Sequence, residues 1–352
     1  MRLVGGYGTM KTAVTFGEVM MRLATPGFQR FNQARGLEIS YAGGEANVAA
    51  SLAQFGTPAE FVTRVPANDL GEACVCFLRQ YGIGVRHIKR GGQRLGLYFL
   101  ETGAAQRASK VLYDRADSAF ATVEPGVFDW ARVFNEADWF HFTGITPAVS
   151  ESAANTCLEA VRCAYEMGLT VSCDLNYRAK LWKWGKSAGQ VMPELLQYCR
   201  VVVANEEDAE KVLDIRATGV DVSTGKVEAA SYVSVCEDMI HRFPNIQQVA
   251  ITLRGSRSAS HNTWSGLLYT EHALHVAPVY DIVPIVDRVG GGDSFAGGLI
   301  HALKHGADPK QTIDFAVAAS CLKHSIPGDF NLVHLEEVEK LMKGDASGRV
   351  TR

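Results

Sequence analysis

Continuous apolar runs, each followed by a helical stretch, recur through most of this chain. Strand-like runs fall at 13–19, 60–65, 139–142, 169–174, 200–204 and 248–253, and those at 200–204 and 248–253 are apolar on successive positions after their first residue, apart from Thr252, and not on every second one. A strand with one wet face alternates, whereas a strand that is apolar throughout is covered on both faces. Helical stretches at 45–55, 69–81, 151–167, 187–198 and 229–242 intervene and supply that cover. The stretch 69–81 opens on an acidic cap with Glu72 three residues on. Three more helices, 292–305, 309–324 and 334–343, fill the last quarter. The pattern predicts an α/β three-layer sandwich around a mainly parallel sheet.

Two segments break the rhythm. Residues 24–42 hold a strand-like piece at 37–41 and no helix, and residues 93–117 hold two short strands, 96–101 and 109–115, in hairpin spacing. Together they predict a small β-sheet standing off the main domain as a lid. The absence of a repeat or low-complexity linker makes the lid an insertion within one domain spanning 11–343, with 1–10 and 344–352 expected as flexible ends. A length of 352 residues, 47% hydrophobic and 21% charged, suits one large soluble domain with an appended subdomain. The net charge is −3 and the basic residues are scattered, which argues against a nucleic-acid partner. No apolar stretch reaches the ~20 residues that span a bilayer. Eight cysteines without a C-x-x-C pair point to small hydrophobes in a reducing cytoplasm.

The richest site signal is DRVGGGDSFAGGL at 287–299. Gly290, Gly291 and Gly292 lead into Asp293 and a helix. Glycines let backbone N–H groups converge, and a helix N-terminus adds unpaired N–H groups and partial positive charge, so the turn suits a phosphate. A carboxylate fixed there can take the proton of a hydroxyl attacking phosphorus. The bland alternative is a tight turn with Asp293 as a helix cap.

Open α/β sheets bind ligands beyond the carboxyl ends of their strands, where other polar clusters fall. Gly43, Gly44 and Asn47 sit at a helix start, which either admits a ligand to the backbone or is an ordinary helix beginning. Arg178 follows an apolar strand and either forks onto a carboxylate or phosphate or is a surface arginine. Tyr98, Tyr113 and Arg115 lie on the hairpin; Tyr98 could face the core, and Arg115 is harder to explain that way. Asn205 to Asp208 is an acidic helix start after a strand, and Trp182 and Trp184 read as packing residues.

Taken together, residues 14–343 resemble the ribokinase-like sugar kinases, the phosphofructokinase-B type, through Gly43, Gly44, Asn47 and the 287–293 motif. Within them the chain is most similar to the 2-keto-3-deoxygluconate kinases, through GLYFLE (96–101), VLYDR (111–115), FHFTGITPAVS (140–150), DLNYRAKLW (174–182) and KHSIPGDF (323–330). The resemblance implies a ribokinase-like sandwich with a β-sheet lid over the sugar, and ATP-dependent phosphorylation of a sugar hydroxyl. The acceptor would be a primary hydroxyl of a sugar acid, giving a 6-phosphate. Asp293 would be the base, with Gly290, Gly291 and Gly292 as the anion cradle. Sugar contacts carry over to Gly43, Gly44, Asn47, Tyr98, Tyr113, Arg115 and Arg178. ATP contacts carry over to Asn205, Thr252, Arg254, Gly255, Gly290, Gly292 and His324, with a nucleotide loop at 252–258. Magnesium would be held through the ATP phosphates, with Asp208 acting through water, and a monovalent cation is an optional third component. The carboxylate of a sugar acid agrees with the arginines, which a neutral hexose would not need.

The chain departs from the family at Gly291, where alanine is usual, at Arg288, where threonine is common, and at Asp208, where glutamate is usual. Its Arg254-Gly255-Ser256-Arg257-Ser258 stands where the family has Gly-x-Lys-Gly. Exposed lid edges favour a homodimer through the lids or a higher oligomer. Two alternatives stand beside this reading: a kinase for fructose or tagatose, and a dinucleotide-binding oxidoreductase. The second lacks a G-x-G-x-x-G after the first strand.

Overall fold

The computed structural model describes residues 10–205, 207–216 and 229–345. Among them, the larger sheet runs Ala273–Val276, His261–Thr270, Gln248–Ser258, Val201–Ala204, Thr170–Asp174, Ala137–Thr143, Thr12–Phe16, Ala59–Val62, with Tyr280–Ile282 also on His261–Thr270. From Gln248–Ser258 to Ala59–Val62 every pairing is parallel. The apolar runs divide between the two faces as the pleat requires. Val14, Phe16, Phe140, Phe142, Val202 and Ala204 join one core with the helices Glu151–Glu166 and Ala188–Leu196. Ala13, Trp139, Val201 and Val203 join the other, with Gly44–Gln54 and Gly291–Lys304. Each fully buried large side chain contributes about 1.5–3 kcal/mol of transfer free energy, which is why both layers are fixed.

The smaller sheet runs Glu38–Ala42, Met20–Ala24, Gly96–Glu101, Lys110–Asp114. Its inner face turns Met20, Ala42 and Tyr98 into a small cluster over the carboxyl ends of the parallel strands. The lid therefore begins earlier than the expected residue 24. Met20–Ala24 is apolar enough to read as a continuation of the first strand, but that strand ends at Phe16 and the chain turns into the lid.

Several boundaries differ from expectation. The strand expected at 248–253 continues to Ser258 and forms a long hairpin with His261–Thr270. The segment 252–258 is thus the end of a strand and not a loop; Arg254, Ser256 and Arg257 hid this because an exposed strand end need not be apolar. The helix start near Asp69 is capped by Asn68, whose side chain accepts from the Gly71 N–H at 3.0 Å. Residues 229–242 divide into a 3-10 turn, Ala229–Tyr232, and the helix Val233–Arg242. The expected flexible ends, apart from Met10, Gly344 and Asp345, lie outside the described residues, as does Glu206. Among the described residues no helix is long and apolar enough to cross a membrane, and all eight cysteines are free thiols.

Candidate active site

One cleft lies between the lid and the carboxyl ends of the parallel strands. It brings together Gly43, Gly44, Asn47, Tyr98, Tyr113, Arg115, Arg178, Asn205, Asp208, Thr252, Arg254 and residues 288–293. Two expected residues are not among its lining. Gly255 follows Arg254 along the strand, paired with Thr263, and His324 stands behind the glycine turn.

The turn is built as an anion cradle. Gly290 adopts φ +82°, and a Cβ there would lie 2.0 Å from the Asp329 carbonyl oxygen, so only glycine fits. The helix Gly291–Lys304 starts immediately, with no side-chain cap. Gly292 and Asp293 in its first turn have no carbonyl one turn earlier to bond. A Cβ on Gly292 would meet nothing within 4 Å, so its backbone is open to a ligand. At Gly291 an alanine Cβ would lie 2.9 Å from the His324 ring, which explains the glycine in place of the family's alanine. Burial holds His324 down at about 4, so the ring is neutral and its Nδ1 donates to the Ser320 carbonyl at 2.7 Å.

Asp293 does not cap the helix. Its carboxylate accepts from the Asn47 amide at 2.6 Å, which ties the two glycine-led helix starts into one site. Burial, opposed by that hydrogen bond, raises the Asp293 carboxyl to about 7, with Asp329 and Glu45 adding in the same direction. Glu45 is itself buried, accepts from the Thr143 N–H and hydroxyl and the Thr146 hydroxyl at 2.7–2.9 Å, and is pushed up by desolvation. Asp174, at the end of its strand, is raised well above the carboxylate range by burial and then by Asp208 and Asp293. Gly43 is required for a different reason: a Cβ would lie 1.9 Å from the Glu18 carbonyl oxygen.

The two arginines expected to meet a carboxylate are not equivalent. Arg178 is exposed at the cleft, and the only hydrogen bond of its guanidinium among the described residues is to the adjacent Tyr177 carbonyl. Arg115 is buried and paired with Glu18, its Nε donating at 2.7 Å, so its charge is already balanced. Tyr98 lines the cleft, but its hydroxyl donates to Asp329 at 2.7 Å. Asp208 accepts from the Tyr177 and Asn205 N–H groups at 3.1 Å, one on each oxygen. Trp182 packs against the core, as expected.

Sequence reasoning missed the network that clamps the lid. Arg22, on the lid strand Met20–Ala24, donates to Asp287 at 2.5 Å and to Asp329, and all three are buried. The available signal was a charged residue inside the apolar run Met20–Ala24.

The sequence pattern of the pfkB family carbohydrate kinases matches residues 10–331. This chain belongs to that family. It is 32% identical over 335 residues to a 2-dehydro-3-deoxygalactonokinase of Haloferax volcanii, covering 95% of this chain and 98% of the relative. It is 28% identical to a 2-dehydro-3-deoxygluconokinase of Thermoproteus tenax, covering 95% of each chain. The crystal structure of a 2-dehydro-3-deoxygluconokinase from Thermotoga maritima superposes with a TM-score of 0.90 at 46% identity, covering 95% of this chain and all of that one. The ribokinase-like sandwich with its β-lid is thereby the fold of this family member, and the oxidoreductase alternative falls away.

Proposed function

We propose that this chain is an ATP-dependent kinase that phosphorylates the primary hydroxyl of 2-keto-3-deoxygluconate or its C4 epimer to the 6-phosphate. The observation that carries this reading is Asp293, held by Asn47 at the mouth of the glycine turn in the same cleft as the exposed Arg178. The substrate names of the full-length relatives support the sugar acid, and the exposed Arg178 guanidinium at the cleft suits its carboxylate.

The sugar lies between lid and sheet, its carboxylate toward Arg178 and its backbone contacts at Gly43 and Gly44. Asp293, with a carboxyl near 7, accepts the proton of the attacking hydroxyl as the new O–P bond forms and the bond to ADP breaks. The N–H groups of Gly290 to Asp293 stabilise charge on the transferring group. ATP lies toward Asn205, Thr252 and Arg254. Asp208, whose oxygens each hold a backbone N–H, would hold a magnesium ion on the ATP phosphates through water, and that ion would supply charge neutralisation. Free thiols throughout support a cytoplasmic setting.

A lid-to-lid dimer is part of the proposal. Register places Leu23, Ile39, Phe99 and Leu112 in one row on the outer face, where Ile39 and Leu112 are 62% and 57% exposed. Ile39→Glu should give a monomer by light scattering if this row is the interface. The activity test is ADP release with a panel of both sugar acids, fructose and tagatose. Turnover of the neutral ketoses equal to that of the acids would overturn the substrate class.

A further inference from the structure

Lys323 is fully buried, and none of the machinery above uses it. It is the last residue of the helix Pro309–Lys323. Its ammonium donates to the Ile326 carbonyl at 3.3 Å and to the Asp287 carbonyl at 3.2 Å. No carboxylate of the described residues pairs with it within 4.0 Å; burial lowers its ammonium from the ordinary lysine value, opposed by Asp287, Asp329 and Asp293 from farther off. A helix C-terminus welcomes a cation, which accounts for Ile326. It does not account for the Asp287 carbonyl, three residues before Gly290, in a segment whose Val286 and Asp287 N–H groups donate to the His324 carbonyl at 2.8 and 3.3 Å. The two carbonyls belong to the two loops that meet behind the cradle, where the Gly290 backbone packs on that of Asp329. The Asp287 side chain closes the same junction by accepting from the Gly328 and Val289 N–H groups at 3.1 and 3.0 Å.

We propose that Lys323 is a positioning residue for phosphoryl transfer: a tethered monovalent cation whose ammonium joins the 287–290 turn to the 326–329 loop and holds the amide cradle in its anion-binding form. Chemically it does what a free potassium or ammonium ion coordinated by backbone carbonyls would do, so the parent enzyme needs no such ion. The inference rests on the kinase reading above.

The test compares the parent, Lys323→Ala and Lys323→Met in ADP release with potassium, ammonium, sodium or tetramethylammonium as the only monovalent cation. The parent should turn over at one rate in all four. Lys323→Ala in tetramethylammonium should lose about 10- to 100-fold in kcat, the range expected for an ångström-scale misplacement of reacting groups. Its KM for the sugar acid should stay within threefold. Ammonium or potassium should restore much of the lost kcat in Lys323→Ala, and little in Lys323→Met, whose side chain fills the space. A residue that merely fills the core would show no such rescue. Failure of every cation to rescue Lys323→Ala, or parental kcat in Lys323→Met, would overturn the proposal. Should both variants fail to fold, the parent decides alone: a rate that depends on potassium or ammonium overturns it, and cation independence supports it. A parent inactive on every sugar would instead refute the kinase reading.

Discussion

Replacing Asp293 by Asn should remove activity while making the protein more stable, a combination that packing residues do not give. The structure supplies the magnitude. Surrounding protein raises the Asp293 carboxyl from 3.8 to about 7. One pKa unit corresponds to about 1.4 kcal/mol, so ionising this group in the folded state costs at most about 4 kcal/mol. The sign follows from linkage. Below the unfolded value both states hold the proton and the acid and amide are equivalent. As pH rises toward 7 the unfolded chain releases its proton first, and the parent loses stability relative to Asp293→Asn. Above 7 the difference is complete. The amide oxygen still accepts from Asn47, so the hydrogen bond that ties the two helix starts survives. Thermal unfolding of parent and variant at about pH 5 and pH 8 should therefore show a gap in favour of the variant that widens with pH. In the same preparations kcat should fall about 10²–10⁴-fold, the range for a positioned base, while ATP affinity changes little. The parent's kcat/KM should rise with pH through an inflection near 7, because the base must be ionised. Turnover of Asp293→Asn within threefold of the parent would refute the role, and a stability gap that does not change with pH would refute the electrostatics.

Three further outcomes follow from other parts of the site. Arg178→Ala should raise KM for the sugar acid about 10- to 150-fold and leave a neutral ketose nearly unaffected, since one charge-assisted hydrogen bond is worth ~1.5–3 kcal/mol; equal effects on both substrates would assign Arg178 to phosphate or structure. Arg22→Ala leaves Asp287 and Asp329 buried without their cation and should cost about 3–5 kcal/mol in urea unfolding; a loss under 1 kcal/mol would mean that the clamp is not a stability element. Hydrogen exchange in 96–115 should slow on adding sugar acid and respond less to ATP alone, as for a lid that gains contacts only when filled. Identical exchange with and without substrate would make it a permanently packed hairpin and withdraw the sugar contacts of Tyr98 and Tyr113.

The sequence by itself determined the parallel sheet, because strands such as Val201–Ala204, apolar at every position, can be satisfied only between two helical layers. It also determined the glycine turn and Asp293, since the chemistry of adjacent residues is local and a helix N-terminus needs no distant partner to bind an anion. Pairings between residues far apart in sequence were decided only by the tertiary structure. The strand Met20–Ala24 has the composition of a core strand, and only the path of the chain sends it into the lid. The polar end of Gln248–Ser258 became strand because His261–Thr270 satisfies its backbone, which no local propensity announces. Arg115 and Arg178 carry the same guanidinium, yet Glu18, 97 residues before Arg115, pairs with the first at hydrogen-bond distance, whereas the second acts on Asp174, Asp208 and Asp293 only from farther off. The Arg22 clamp spans 265 and 307 residues to its two aspartates. Such charges are buried only because the fold delivers their partners, and burial, which set the Asp293 carboxyl near 7, is a property of the assembled cleft and not of the residue.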